Sequence, residues 1–273
     1  MNDGLHGEHR QWGLPVILNI DVHLTYELSA PTDLLLQIEA ADLPDQRVLD
    51  ARIDFSEVAH MARVAADEGL GERIWLKADG QFKCDYTTRI KIDRPVLDLT
   101  SLAAVPPHLL PGDTVRYLMP SRYCPSDEFQ TYVAAEFGHL EGGARITAIR
   151  DWINAGFSYV PGVSNAQTTA LDSFVQRQGI CRDFAHVMVT LARASTIPAR
   201  FASVYAPGVT PQDFHAVAEV YLDGTWHLVD PTGMATANTI ARIGVGADAA
   251  DVAFLNIFGQ ADFVAQSVAV RVD

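Results

Sequence analysis

The sequence predicts an α+β protein in which a β-rich, sandwich-like N-terminal domain precedes a core of helices packed on an antiparallel sheet. The first third of the chain alternates apolar and polar residues with the period of strands. Between residues 95 and 113 this periodicity stops and four prolines interrupt the run. Beyond it, apolar residues recur at helical spacing, and alternation then returns. We therefore expect two domains, 1–112 with the linker and 113–273.

Composition limits the partners that this chain is expected to have. About half of the 273 residues (48%) are hydrophobic, enough for a substantial core. A net charge of −14 disfavours nucleic acid and anionic membranes, and no apolar stretch approaches the ~20 residues of a membrane helix. The first residues lack the basic and apolar segments of a secretory signal. Three cysteines at unrelated spacings argue against a disulfide framework, so we expect a reducing, cytoplasmic compartment.

The N-terminal part is predicted to consist of strands. A long half-buried strand over 16–28 continues in the same style through 34–38, and another is expected at 48–55. Two alternating runs flank Asp79-Gly80, a two-residue turn signal, and together they predict a hairpin. Cys84 falls on the apolar face of the second run, so we expect a packed cysteine there.

The C-terminal part mixes helices with strands. Apolar spacing predicts helices over 127–140 and 144–157, and Thr169 to Asp172 resembles a capping box that opens a short helix ending at Gly179. A further amphipathic helix follows Cys181 and ends before Pro198. Strands are expected at 199–205, 215–222 and 225–229, with a closing alternation at 264–272.

Cys181 stands between a glycine turn and this amphipathic helix, in QGICRDFAHVMVTLARA. The first N–H groups of a helix are unpaired and its dipole is positive there, so the position favours a thiolate. The same N–H groups can bind the oxyanion that forms when sulfur attacks a carbonyl. A lone cysteine at a helix start is nevertheless more often structural than reactive.

A partner for this cysteine is predicted on the ribbon DFHAVAEVYLDGTWHLVDPTG. A two-residue turn at Asp223-Gly224 would pair Val217 with Asp230, so that His215 and Asp230 share one face as diagonal neighbours, about 7–8 Å apart. A bulge or an odd turn would remove this relation. Taken alone, His215 could be an ordinary strand histidine, and Asp230 could simply initiate a turn before proline. Glu219, on the same face, would either orient the site or meet solvent.

Metal and cofactor signals are weak in this sequence. No CxxC or HExxH spacing is present, and His186 lies about 140° around the helix from Cys181. We expect no metal and no cofactor. A zinc site built from Cys181 and His215 stays open as an alternative.

The segments GICRDFAHVMVTLARASTIPARF and DFHAVAEVYLDGTWHLVDPTG resemble the core of the transglutaminase-like superfamily. This is the papain-type fold shared by transglutaminases and by many bacterial proteins described as cysteine proteases. The resemblance implies a catalytic triad of Cys181, His215 and Asp230, in the family's order. The β-rich region, with YLMPSRY at 117–123, is similar to the N-terminal domain that often precedes this core in bacteria.

Two positions depart from the family pattern. Val217 stands where a tryptophan often follows the histidine, and Gly233 stands where an asparagine often follows DPT. We expect these differences to change the pocket wall and the substrate preference rather than the triad. The side chain that completes the oxyanion hole cannot be placed by spacing, and Gln167 and Gln178 are the candidates.

The triad implies thiol-dependent acyl transfer on peptide or protein amides, most simply as a cysteine peptidase or amidase. Entry of a primary amine instead of water would give transglutaminase-type transfer. The absence of a calcium-loop pattern favours hydrolysis slightly, because calcium control is typical of the animal transglutaminases. A catalytically silent peptide-binding module is the alternative from another class.

Overall fold

The structure is a computed structural model that describes residues 14–273. Its N-terminal part is an antiparallel sheet that includes β1 (Val16–Leu36), β2 (Gln46–Phe55), β3 (His60–Ala65) and β4 (Glu72–Ile92). β1 pairs with β4 along almost its whole length, while β2 and β3 pair with successive halves of β4. The predicted alternation is observed, because every second residue of β1 from Leu18 to Leu24 is buried.

The predicted hairpin at Asp79-Gly80 is wrong. Both runs belong to the single strand β4, which bends at this point with Gly80 at a φ of +63°. β1 bends with it, since the register between the two strands shifts between Leu28 and Thr32. The positive φ of Gly80, which the sequence analysis took as the sign of a two-residue turn, instead allows the strand to bend. The bent sheet encloses one apolar core, in which Cys84 is fully buried as expected.

Short 3₁₀ turns connect the sheet to the helices, in the region where the sequence predicts a linker. The helices that follow are α1 (Gln130–Phe137) and α2 (Gly142–Gly156), and then come the two-residue strand β5 (Ser158–Tyr159) and α3 (Ala170–Gln176). Thr169 caps α3, and its hydroxyl group and the Asp172 carboxylate form the predicted capping box.

The core is built around one buried helix on an antiparallel sheet. The two-residue strand β6 (Gln178–Gly179) leads directly into α4 (Cys181–Ala194), and β7 (Ala199–Tyr205), β8 (His215–Leu222) and β9 (Thr225–Val229) follow. α4 packs its apolar side chains against β7 and β8 and against α2 and α3. Nearly all of α4 is buried, so it forms the centre of this part of the chain.

The last strands divide between the two sheets. β10 (Ala241–Gly246) joins the core sheet, whose order is β10-β7-β8-β9. β11 (Leu255–Phe258) and β12 (Ala261–Val272) instead pair with β1 in the N-terminal sheet. The division into 1–112 and 113–273 stays a prediction, but these two strands, which it assigned to the core, lie in the first sheet. Alternation reveals a strand without revealing its partner, which is why the sequence could not place them.

The α+β class, with helices packed on an antiparallel sheet, is confirmed. Each helix in the described part of the chain is too short or too polar to cross a bilayer.

Candidate functional site

Cys181 is the first residue of α4, and the local backbone is built to place it there. Ile180 precedes the helix in an extended conformation, and the buried Asp183 carboxylate accepts hydrogen bonds from the Ile180 N–H (2.8 Å) and the Ser164 hydroxyl (2.6 Å). This arrangement ties the 160–168 loop to the start of the helix. The Cys181 side chain keeps slight exposure, at 9% for the residue, whereas Cys84 and Cys124 are fully buried.

His215 and Asp230 meet as the hairpin register predicts. Ala218 pairs with Val229 across the Asp223-Gly224 turn, and Nε2 of His215 lies 3.0 Å from Oδ2 of Asp230. Both side chains are almost completely buried. Since Asp230 is bonded to Nε2, Nδ1 is the ring nitrogen left for a second partner, and it makes no hydrogen bond to the residues 14–273.

The Cys181 thiol is near enough to this imidazole to help raise its pKa, so the structure brings the three predicted residues together. Burial lowers the pKa of His215, but hydrogen bonding to Asp230 and the adjacent Cys181 outweigh it and raise the pKa to about 9. Burial works against ionisation of Asp230 as well. Its hydrogen bonds with His215 and Thr232 nevertheless lower its pKa. The arrangement therefore favours an imidazolium held by a carboxylate.

Tyr159 is the residue of this site that sequence reasoning missed. β5 pairs in parallel with β6, with Tyr159 opposite Gly179, and the ring packs against the cluster that contains Cys181. Burial, followed by the charge of Cys181, raises the pKa of Tyr159. A two-residue strand has no periodic signal that could have predicted this contact. Gln167 and Gln178, the candidates named from sequence, stay unassigned.

The other candidate groups have structural roles. Glu219 neither meets solvent nor approaches the thiol, because it is fully buried between Arg200 (2.7 Å) and Arg242 (3.0 Å). His186 accepts a hydrogen bond from the Ala249 N–H, and burial lowers the pKa of His186 to about 3, so it stays neutral. Within residues 14–273, no group of three or more His, Cys, Asp and Glu side chains is arranged to hold a metal.

The two departures from the family pattern occupy different environments. Val217 is fully buried in an apolar cluster with Ala202 and Leu228. The expectation that it forms part of a pocket wall is therefore wrong. Gly233 adopts a φ of +72°, and a Cβ there would lie 2.9 Å from the Asn154 amide nitrogen. Asn154 donates to the Thr232 carbonyl (2.8 Å) and so helps to hold the loop that follows Asp230.

A cavity of about 990 Å³ lies behind Asp230 rather than at the thiol. Its walls come from the 94–100 segment, α2, the β8–β9 hairpin and the loop that contains Gly233, and they include neither Cys181 nor His215. The cavity is therefore separate from the Cys181 thiol.

Comparisons with known proteins identify the family of this chain. Residues 132–231 match the family model of the transglutaminase-like superfamily. A crystal structure described as that of a "Putative Cysteine Protease" from Cytophaga hutchinsonii is 34% identical, covers 96% of this chain and 92% of its own, and superposes with a TM-score of 0.91. The chain belongs to the transglutaminase-like superfamily. The matched range includes Cys181, His215 and Asp230, whose catalytic role stays a prediction.

A curated protein with related sequence is the uncharacterized protein ML0607 of Mycobacterium leprae. It is 30% identical over 149 residues, which are 50% of this chain and 52% of the relative. The chain thus spans about half the length of the curated relative that it matches.

Proposed function

We propose that this member of the transglutaminase-like superfamily catalyses thiol-dependent acyl transfer on peptide or protein amides. Cys181 would be the nucleophile, His215 the proton carrier and Asp230 the group that orients His215 and stabilises its charge. The observation that carries the proposal is the 3.0 Å contact between His215 and Asp230 beside a cysteine that begins a helix. A peptide-binding role would need no such arrangement.

The first half-reaction forms a thioester. The Cys181 thiolate attacks the amide carbonyl, and the electron pair of the C=O bond moves to oxygen. His215, protonated at pH values below about 9, then gives its proton to the departing amine as the C–N bond breaks. Turnover should accordingly decline as pH rises through about 9, because the leaving amine then loses its proton donor.

The oxyanion would be held by groups at the start of α4. The Cys181 N–H belongs to the first turn of the helix, where backbone donors have no helical acceptor. Tyr159 packs against the cluster that contains Cys181, and we expect its hydroxyl to donate to the oxyanion once the tetrahedral intermediate forms. The high pKa of Tyr159 keeps the phenol protonated, as this role requires.

Water or an amine completes the reaction. Attack by water on the thioester releases a carboxylic acid and makes the protein a peptidase or amidase. Similarity to a protein described as a cysteine protease favours this outcome. The second candidate is transfer to a primary amine, which gives a new amide, and membership of the superfamily favours it.

The test is mass spectrometry of peptides and primary amines after incubation with the purified protein. We expect new products that depend on Cys181, and their masses distinguish hydrolysis from amine incorporation. Cys181→Ser should abolish turnover with the fold retained, whereas the matched variant Cys84→Ala, which removes a buried thiol elsewhere, should stay active. Products that persist in Cys181→Ser would contradict the proposal, and no products at all would favour the binding module.

The proposed compartment is the cytoplasm. All three cysteines are free thiols, which fits a reducing environment. The chemistry proposed here uses only side chains and backbone groups of the chain, and it needs no cofactor. Cell fractionation with an antibody to the protein tests the compartment.

A further inference from the structure

The segment 247–254, which connects β10 to β11, packs against the surroundings of Cys181. Val252 is a buried member of the small apolar cluster that contains Cys181. Ala249 packs against the same cluster and keeps part of its surface exposed. Ala249 is therefore a side chain of this segment that a molecule bound at the thiol can meet.

The far end of the segment reaches the strand that carries the imidazole. The ring of Phe254 stacks on that of Phe214, with 4.5 Å between centroids and 10° between planes. Phe214 immediately precedes His215, the first residue of β8. The segment thus extends from the cluster around the thiol to the start of β8.

Helix α4 fastens the segment at Ala249. Nε2 of His186 accepts a hydrogen bond from the Ala249 N–H (3.2 Å). The imidazole is itself fixed by packing, since its centroid lies 5.1 Å from the ring centroids of both Tyr123 and Phe201. Because burial lowers the pKa of His186 to about 3, the ring stays neutral and Nε2 remains an acceptor.

The N-terminal sheet fastens the segment at two further residues. Nη2 of Arg73, on β4, donates to the Asp251 carbonyl (2.7 Å), and its Nε donates to the Gln37 side chain (3.1 Å). The backbone N–H of Gln37, just beyond β1, donates to the Phe254 carbonyl (2.9 Å). The Arg73 side chain is only 19% exposed, which strengthens these bonds. The first sheet therefore holds a segment that packs near Cys181.

Access to the thiol is narrow. Cys181 is only 9% exposed, and His215 is almost completely buried. The partly exposed side chains that pack against the cluster around Cys181 are Tyr159 and Ala249. A substrate that brings its carbonyl to the thiol must fit beside them, and Ala249 leaves room there because its side chain ends at Cβ.

We propose that the 247–254 segment is a wall of the substrate-binding site and that Ala249 limits the size of the substrate group beside the thiol. Arg73 is a positioning residue, because it holds this wall from the N-terminal sheet. The inference rests on the proposed function and adds a substrate class to it, namely amides with a small side chain next to the reacting carbonyl.

The test compares two alkylating reagents that differ only in bulk, iodoacetamide and N-phenyl iodoacetamide. With either reagent the thiolate sulfur bonds to the methylene carbon and iodide leaves, so turnover is not required. Labelling is followed by mass at Cys181, and each rate is divided by the rate of the same reagent with glutathione. Ala249→Leu should lower the rate of the phenyl reagent about tenfold more than that of iodoacetamide. Ala249→Gly should raise it, and it keeps the test valid if leucine prevents folding.

Matched variants separate this effect from added bulk and from lost charge. Ala250→Leu adds the same side chain at the next position, which is exposed, and should leave the ratio of the two rates unchanged. Arg73→Met removes the bonds to the segment, so the wall loosens and the difference between the reagents should narrow several-fold. Arg73→Lys, which can still reach one acceptor, should restore part of the difference. Arg63→Met on β3 removes a guanidinium that pairs with Glu39 and Glu72, and it should have no effect.

A ratio that is unchanged in both Ala249 variants, or that falls equally in Ala250→Leu, would overturn the inference. A ratio unchanged in Arg73→Met, with thermal unfolding showing a folded protein, would overturn the role of Arg73. Peptides with glycine or leucine on the acyl side of the amide then test turnover. The preference in kcat/KM for glycine should increase in Ala249→Leu and decrease in Ala249→Gly. Size-dependent labelling without any turnover would reject the proposed function alone.

Discussion

Asp230 is held by more hydrogen bonds than a turn residue needs. Oδ1 accepts from the Thr232 N–H (2.8 Å) and hydroxyl (2.7 Å), and Oδ2 accepts from the Ala235 N–H (2.9 Å) in addition to its contact with His215. These bonds favour the ionised form and fix its orientation. A carboxylate so placed can keep the imidazole ring of His215 in one position during proton transfer.

Replacement of Tyr159 by phenylalanine tests the proposed oxyanion contact. Phenylalanine keeps the ring that packs near Phe184 (6.0 Å between centroids) and removes only the hydroxyl. We expect kcat to fall about ten- to a hundredfold with little change in KM, because the lost donor would act mainly in the transition state. Steady-state kinetics on a single peptide substrate measure both constants. An unchanged kcat would show that the hydroxyl takes no part in catalysis.

At the scale of elements, the start of α4 depends on close packing between Gly179 and Asp183. A Cβ on Gly179 would lie 2.6 Å from the Asp183 Cβ, so glycine is required for this approach. The approach lets Asp183 accept the Ile180 N–H while the N–H of Cys181 stays outside the helical hydrogen-bond ladder. The position of Cys181 is therefore determined by the junction between β6 and α4.

Asp183→Ala should destabilise the protein and displace Cys181. The change leaves the Ile180 N–H and the Ser164 hydroxyl, which are partly buried, without their acceptor, at a cost of about 1–3 kcal/mol for each group. Urea denaturation measures the free energy of unfolding. Asp172→Ala, which removes the equivalent third residue of the exposed α3 capping box, is the control and should cost about 1 kcal/mol. Equal losses in the two variants would contradict the special role of Asp183.

The success of the sequence analysis at the β8–β9 hairpin has a simple physical cause. A two-residue turn sets the register, and register determines which side chains share a face, so the His215–Asp230 contact could be predicted. The same Asp-Gly signal predicted a hairpin turn at Asp79-Gly80, and this prediction failed. A glycine with positive φ also permits a bend within one strand when the partner strand bends with it. Local signals specify conformation but not the partner.

At the scale of the whole molecule, a buried ion-pair network joins the two sheets. Glu219 of β8 forms ion pairs with Arg200 and Arg242. Arg242 also pairs with Asp45, which lies just before β2, and Asp45 pairs in turn with Arg94. Neither these long-range pairs nor the return of β11 and β12 to the first sheet has a signal in local sequence, since each depends on residues far apart in the chain. The network makes the placement of β8 depend on the N-terminal sheet.

Glu219→Gln should lower the free energy of unfolding by about 3–5 kcal/mol, because it leaves two buried guanidinium groups without their carboxylate. Burial opposes ionisation of Glu219, yet Arg200 and Arg242 lower its pKa below the usual 4.5. Its contribution is thus present above pH 4.5 and lost as pH falls through the lower folded-state value. Urea denaturation across this pH range should show that acid lowers the free energy of unfolding less in the variant than in the wild type. Equal stability of variant and wild type would contradict the network's role.

The most direct test of the central claim is the rate at which iodoacetamide alkylates Cys181 at about pH 6, where an ordinary thiol is almost entirely protonated. If Cys181 lies beside His215, it should be labelled much faster than a free thiol. This rate should collapse in His215→Ala but persist in the control variant His227→Ala, which removes a histidine of the same hairpin that bonds the Leu222 carbonyl. Labelling no faster than that of a free thiol, or equally fast in His215→Ala, would contradict the account.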